Sequence, residues 1–313
     1  MKEKNRSEKM TRRNFLQTTA TASALVAGFG VPALFGTAKK GFVDTSVRNV
    51  TLNNGIKMPI LGFGTLYLTG SEGAEKISAA INHGYRLIDT ATIYNNEDAV
   101  GEGIKRSGIE REKLFVTSKV WVDDSGYEKT KIAFETSLEK LGLDYLDLYL
   151  IHRPRGDVKG SWKAMEELYR EKRIRAIGVS NFLPAQLNEL MADSSVRPTV
   201  NQIEAHAFFQ QPGDHDFLNR NDIHMEAWSP FAQGRNGMFT NETIAEIGEK
   251  YNKTNAQVCL RWNYQRGVIT IPRTSREAHM AENLNIFDFE LDESDMNTIA
   301  GLDLNTTQFP EWE

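Results

Sequence analysis

Short apolar runs alternate with longer amphipathic stretches along most of this chain. The apolar runs lie at residues 60–65, 86–89, 114–119, 146–152, 174–179, 199–204, 223–228 and 268–271, and each reads as a buried strand. The stretches between them carry helical faces. Ile77, Ala80 and Ile81 mark the first, which His83-Gly84 ends. A second helix is expected at 97–106. Phe134, Leu138 and Leu141 line a third, and Trp162, Met165 and Leu168 a fourth. Pro184 sits in the first turn of a fifth, whose face is Leu187, Leu190 and Met191. Further helices are expected at 212–219, 240–251, 254–265 and, last, 276–283. Ahead of all this, Asn53-Asn54-Gly55 between two short apolar runs predicts a hairpin, because Asn-Gly supplies the positive φ of a tight turn.

Eight strand signals separated by helices predict an α/β fold with a parallel sheet, and the count of eight favours a closed (β/α)8 TIM barrel with the hairpin as its cap. A doubly wound open sheet is the alternative. Its glycine fingerprint is missing, since Gly62-x-Gly64 has no third glycine and opens no helix. In a barrel, reactive groups gather where strands end. Here Asp89, Lys119 and His152 close three successive strands, Tyr94 follows Asp89 on a loop, and Asn181, Gln202, Trp228 and Arg273 fall at or past the later strand ends.

Charge changes the picture at one end. Residues 1–38 hold six Lys/Arg against two Asp/Glu, a net of +4, so the net of −5 for the whole chain leaves −9 for the rest. That acidic body excludes a nucleic-acid footprint. The basic start ends in Thr11-Arg12-Arg13 and runs through Asn14-Phe15-Leu16 into a weakly apolar Ala/Thr/Gly stretch and Gly36-Thr37-Ala38. This order resembles a bacterial twin-arginine export signal, which implies the translocation machinery as a transient partner and a periplasmic destination. An uncleaved signal acting as a membrane anchor is the alternative. The organisation is therefore a signal at 1–38, a linker at 39–49 and one barrel at 50–313. The single cysteine, Cys259, shares a helical face with Ala256, Leu260 and Asn263 and reads as a buried structural thiol. Asp214-His215-Asp216 has no partner cluster, so no metal is expected.

The strand-end residues suit proton transfer to an oxygen. A phenol titrates near ~10, and a nearby ammonium favours phenolate, so Lys119 should lower Tyr94 while Asp89 holds Lys119 charged. His152 can orient a carbonyl. Over about residues 50–303 the chain resembles the aldo-keto reductases. The resemblance rests on Gly62-Phe-Gly-Thr65, Asp89-Thr-Ala-Thr-Ile-Tyr94, Thr117-Ser-Lys119, Leu148-Tyr-Leu-Ile-His152-x-Pro154, Ile177-Gly-Val-Ser-Asn-Phe182, Asn201-Gln202, Trp228-Ser-Pro230 and Ile271-Pro-Arg-Thr274, in that order. It implies reduction of aldehydes or ketones by hydride from NADPH, with NADH second. Tyr94 would be the general acid, Lys119 and Asp89 would tune it, and His152 would orient the substrate. Ser180, Asn181 and Gln202 would hold the nicotinamide carboxamide. Trp228 would stack on the ring, and the glycine-rich loop from Ser229 to residue 237 would cover the pyrophosphate. Arg273 and Thr274 would take the adenosine 2′-phosphate, with His279, Glu282 and Asn283 on the following helix completing the cofactor set.

Two departures qualify the resemblance. The family often carries arginine where this chain has His279, which weakens the preference for NADPH. The sequence runs only ten residues past Asp303, so a small or absent C-terminal loop, an open pocket and Trp121 as a substrate wall are expected, in a monomer. Two other functions compete. A nucleotide-binding sensor or partner-binding barrel would turn over little, and a lyase or isomerase would use Lys119 as a Schiff-base nucleophile. The second leaves the Gly-Val-Ser-Asn-Phe and Ile-Pro-Arg-Thr runs without a role.

Overall fold

A computed structural model describes residues 48–312. The signal expected at 1–38 and the linker up to residue 47 lie outside the described residues. Strands β1 (Asn49–Thr51) and β2 (Lys57–Pro59) pair antiparallel, with Val50 opposite Met58. The turn between them puts Gly55 at φ 84°, the backbone that Asn-Gly was expected to supply.

Eight parallel strands follow: β3 (Phe63–Gly64), β4 (Leu87–Asp89), β5 (Phe115–Val120), β6 (Leu146–Ile151), β7 (Ile174–Ser180), β8 (Val200–Glu204), β9 (His224–Trp228) and β10 (Ile269–Thr270). Each lies beside its predecessor. The two edges meet: Leu61 bridges Thr270, the Gly62 N–H donates to Thr270 O at 2.8 Å, and Thr270 N–H donates to Ile60 O at 2.9 Å. The sheet is therefore closed, as the count of eight implied, and no edge is left to aggregate.

The helices that clad it are α1 (Gly70–His83), α2 (Glu97–Ser107), α3 (Tyr127–Leu141), α4 (Val158–Arg170), α5 (Pro184–Ala192), α6 (Pro212–Arg220), α7 (Glu242–Tyr251), α8 (Asn255–Gln265), α9 (Glu277–Leu284) and α10 (Glu293–Ala300). The expected last helix is α9, but α10 follows it. Asp292 caps α10 by accepting from the Asp295 N–H. Only Asp295 and Ile299 of α10 are buried, too narrow an apolar stripe to read from periodicity. Cys259 is buried in α8, where burial pushes its thiol up to about 12.

Alternation along the strands divides the core in two. One face of the sheet packs on the helices through side chains such as Ile88, Val116, Tyr149, Ile177 and Ile203. The other fills the barrel with Leu87, Phe115, Leu148, Leu150, Val200 and Ile269, and the hairpin plugs that end with Val50, Leu52, Met58 and Ile60. Asn53 Nδ2 donates to Pro198 O and Asp222 O, and Asn54 Nδ2 to Arg175 O, which pins the plug to the segments leading into or opening three strands. The hairpin thus caps the barrel as expected. Further along the same inward faces the residues turn polar: Asp89, Lys119, Gln202 and Glu226 are all buried.

Candidate active site

Asp89 is the last residue of β4, and the chain leaves it through a braced loop. Thr90 Oγ1 donates to Asn96 Oδ1 at 2.8 Å, and Asn96 Nδ2 donates to the carbonyls of Thr65 and Leu68. That bracing fixes the 3₁₀ turn Thr92–Tyr94, which the Thr92 hydroxyl ties to Lys119 O at 3.0 Å. Tyr94 is carried over the end of β5. Lys119 Nζ lies 2.6 Å from Asp89 Oδ1, 2.9 Å from Thr90 O and 3.5 Å from the Tyr94 hydroxyl. A buried ammonium survives only with such partners. Burial works against its charge, but Asp89, then Tyr94 and Glu226, more than offset that and hold the ammonium above its usual range.

The phenol behaves differently from expectation. Burial pushes Tyr94 above its ordinary value, and the Lys119 ammonium returns only part of the shift. Tyr94 is therefore a protonated phenol at neutral pH, a proton donor and not a phenolate. His152 follows β6, with its ring edge-on to Tyr94 (centroids 5.8 Å) and to Trp121 (5.0 Å). Burial, then the charges of Lys119 and Arg153, push it well below the usual histidine range. Its Nδ1 is buried with no hydrogen-bond partner among the described residues, so the neutral ring has Nε2 to offer a substrate oxygen.

A cavity of about 750 Å³ opens here, a normal size for a small-molecule site. Asp89, Tyr94, Trp121, His152, Ser180, Asn181, Gln202, Trp228, Ser229 and Arg273 all line it. Asn181, at φ 63°, donates Nδ2 to His152 O (3.1 Å) and Ser180 Oγ (2.8 Å) and accepts from Trp228 Nε1 at 2.9 Å. Ser180 in turn donates to Gln202 O, and Gln202 Nε2 donates to Asp89 Oδ2 at 2.9 Å. One network thus joins the strand-end polar groups to the indole.

The remaining expected cofactor residues do not reach this cavity. Thr274 Oγ1 accepts from the Arg276 N–H in a turn before α9, whose cap is Arg276. Glu282 takes the Thr254 hydroxyl, Asn283 is buried beside Tyr85, and His279 is exposed on α9.

Two further features were missed. Glu226 is fully buried on β9, two residues before Trp228 and in register with Gln202. Neither of its carboxyl oxygens meets hydrogen-bond geometry with a described residue, the neighbouring Gln202 amide being given to Asp89. Burial, then the charge of Asp89, push it up to about 8, and Gln202 and Lys119 return only part. A glutamate on the same strand face as Trp228 was the available signal. The pocket is also less open than expected. Residues 307–312 return over its mouth, where Glu204 accepts from the Thr307 hydroxyl (2.5 Å) and the Gln308 N–H (2.9 Å). Arg235, in the glycine-rich loop, donates to Gln308 O and Glu311 and lies 4.2 Å over the Phe309 ring. Phe309 stacks on Trp312 at 4.8 Å, and Trp312 lies 5.5 Å from Trp228. Glu311 and Trp312 therefore join the pocket wall.

A closed eight-stranded barrel with a lysine–aspartate pair, a tyrosine and a neutral histidine at the carboxyl ends of its strands defines an oxidoreductase site for carbonyl chemistry. The model of the aldo/keto reductase family matches residues 60–304, and the chain belongs to that family. A glyoxal reductase of Bacillus subtilis (strain 168) is 51% identical over 263 residues, covering 83% of this chain and 95% of its own. The crystal structure of an aldo/keto reductase from Brucella melitensis superposes with a TM-score of 0.79 at 45% identity, covering 82% of this chain and 100% of that one. An aldo-keto reductase of Bombyx mori, solved in complex with NADP, gives 0.79 at 33% identity, covering 83% and 94%.

Proposed function

We propose that this enzyme reduces small aldehydes and ketones, vicinal dicarbonyls among them, to alcohols with NADPH, NADH serving second. The observation that carries the reading is the protonated Tyr94 phenol 3.5 Å from the Lys119 ammonium, in a cavity it shares with His152 and Trp228. The dicarbonyl class follows the glyoxal reductase relative, and the cofactor follows the NADP complex of the Bombyx mori structure.

The residues present fit a dinucleotide. Ser180, Asn181 and Gln202 present hydrogen-bonding ends beside the Trp228 indole, where a carboxamide needs donors and acceptors and a ring needs a flat face. The exposed Arg273 guanidinium stands at the cavity edge after β10 for a phosphate. A bound reduced nicotinamide would supply the hydride. The chain's own part is to seat the carbonyl oxygen between His152 and Tyr94, and to deliver the phenolic proton as that oxygen gains charge. The Lys119 ammonium then stabilises the phenolate left behind, and Asp89 keeps that ammonium in place. Following cofactor absorbance with a panel of aldehydes, ketones and dicarbonyls tests this. Consumption by the parent but not by Tyr94→Phe supports the reading, and tight cofactor binding without consumption would replace it with a binding role.

The same proposal places the working enzyme outside the cytoplasm. The Thr11-Arg12-Arg13 run supports export by the twin-arginine route, which carries folded proteins, so the cofactor is loaded before export. N-terminal sequencing of protein from the cell envelope checks it. An intact chain found only in the cytoplasm would overturn the export reading.

A further inference from the structure

Tyr94 and Lys119 meet from different elements. The phenol rides on the turn between β4 and α2, and the ammonium projects from β5. The stretch that carries Tyr94 is fastened to β5 on both sides of the phenol. Before it, the Thr92 hydroxyl donates to Lys119 O at 3.0 Å. After it, Glu97, the first residue of α2, accepts from the Ser118 hydroxyl at 2.6 Å. The two anchor points are successive residues of one strand. Alternation turns Lys119 into the barrel and Ser118 toward the helices, so the second tie grips β5 from behind.

A carboxyl is a costly way to pack a helix. Glu97 is 2% exposed, and Ser118 is fully buried. Burial raises the Glu97 carboxyl above its usual range, and the Ser118 and Ser137 hydroxyls return only part of the shift. Apolar contact already seats α2, through Val100 and Ile104 in the core. A leucine at 97 would add to that contact without desolvating a polar group. The carboxyl supplies a directed bond of fixed length instead. The Asn96 amide braces the same loop against Thr65 and Leu68, but neither of these belongs to β5. With Thr92 alone, the turn could pivot about its first residue.

We propose that Glu97 and Ser118 are positioning residues, whose bond sets the separation between the Tyr94 phenol and the Lys119 ammonium. This deepens the reductase reading and rests on it. The phenol–ammonium contact, at 3.5 Å, is already at the outer limit of a hydrogen bond. Slack of about half an ångström would end it, and the phenolate left by proton transfer would lose its stabilising charge.

The test separates position from stability. Single-turnover oxidation of NADPH by a small aldehyde should slow ~10-fold in Ser118→Ala and in Glu97→Ala, less than the ~100-fold that a full ångström of misplacement can cost. KM and the Kd for NADPH should stay at parent values. Glu97→Gln keeps the acceptor and should restore the rate. The double variant Glu97→Leu, Ser118→Ala replaces both partners by apolar groups, which should return the thermal midpoint to that of the parent. It should nevertheless remain slow, and in a Tyr94→Phe background the same pair of changes should cost no further rate. Recovery of the rate together with stability, or an equal loss in the Tyr94→Phe background, would overturn the positioning role and leave the reductase standing. No oxidation of NADPH by the parent would overturn the reductase reading and this role with it.

Discussion

Gln202 Nε2 stands 2.9 Å from Asp89 Oδ2, so the amide proposed to meet the nicotinamide also braces the carboxylate that holds Lys119. On the proposed reading, the cofactor seat and the bracing of the proton donor's lysine share one side chain. Gln202→Leu should therefore weaken NADPH binding and slow the chemical step together, each by about 10-fold. Fluorescence titration read beside single-turnover rates checks it, and a change confined to binding would show that the brace is dispensable.

Tyr94→Phe removes the donor but leaves the 2.6 Å Lys119–Asp89 pair in place. The rate of carbonyl reduction should fall by at least ~100-fold, the usual contribution of a positioned general acid. The thermal midpoint should stay close to that of the parent, since the phenol contributes no bond shorter than 3.5 Å to the ammonium.

Glu226 gives a prediction about stability. Its folded-state value is raised to about 8 from 4.5, so between those values the native protein keeps a proton that the unfolded chain has released. Stability then falls as pH rises across that window, by on the order of a few kcal/mol in all. Glu226→Gln mimics the neutral carboxyl and should be more stable than the parent, with the gap widening from pH 6 to pH 8. Urea midpoints measured across that range read the difference, and a constant gap would mean that Glu226 does not titrate there.

His152 is held well below 6.5 by burial and by neighbouring cations, and Tyr94 is raised above 10.0. Reduction needs the ring neutral and the phenol protonated. Neither condition is lost near pH 6.5, so the kcat/KM profile should show no break there. A break at 6.5 that disappears in His152→Gln would mean that the imidazole takes up a proton in the working enzyme.

The strap predicts linked effects. Arg235 joins the glycine-rich loop to residues 307–312, and Trp312 walls the pocket. Arg235→Ala should raise KM for aromatic aldehydes and speed cofactor release, whereas Trp312→Ala should raise KM alone. Stopped-flow release rates separate the two.

The sequence showed Asp89, Lys119 and His152 because each ends an apolar run, where a charged or polar side chain is conspicuous. The barrel was legible for the same reason, since eight such runs recur. Glu226 was hidden inside a run that otherwise reads as core, and its meaning depends on Gln202 one strand away. The strap was hidden more deeply. Thr307 meets Glu204, and Gln308 meets Arg235, across separations of 103 and 73 residues that leave no local pattern. The direction of the Tyr94 shift was misread because a neighbouring charge can be guessed from order along the chain, whereas the depth of burial that outweighs it cannot.

Asn181 carries two demands that have nothing to do with one another. Its backbone sits at φ 63°, which side chains other than Asn, Asp and Gly adopt reluctantly. Its amide gives to His152 O and Ser180 Oγ and takes from Trp228. Aspartate keeps the turn and loses both donations, and glycine keeps only the turn. A library randomised at this codon and selected for aldehyde tolerance should return asparagine almost alone, a position with no neutral neighbours through which the lineage could drift.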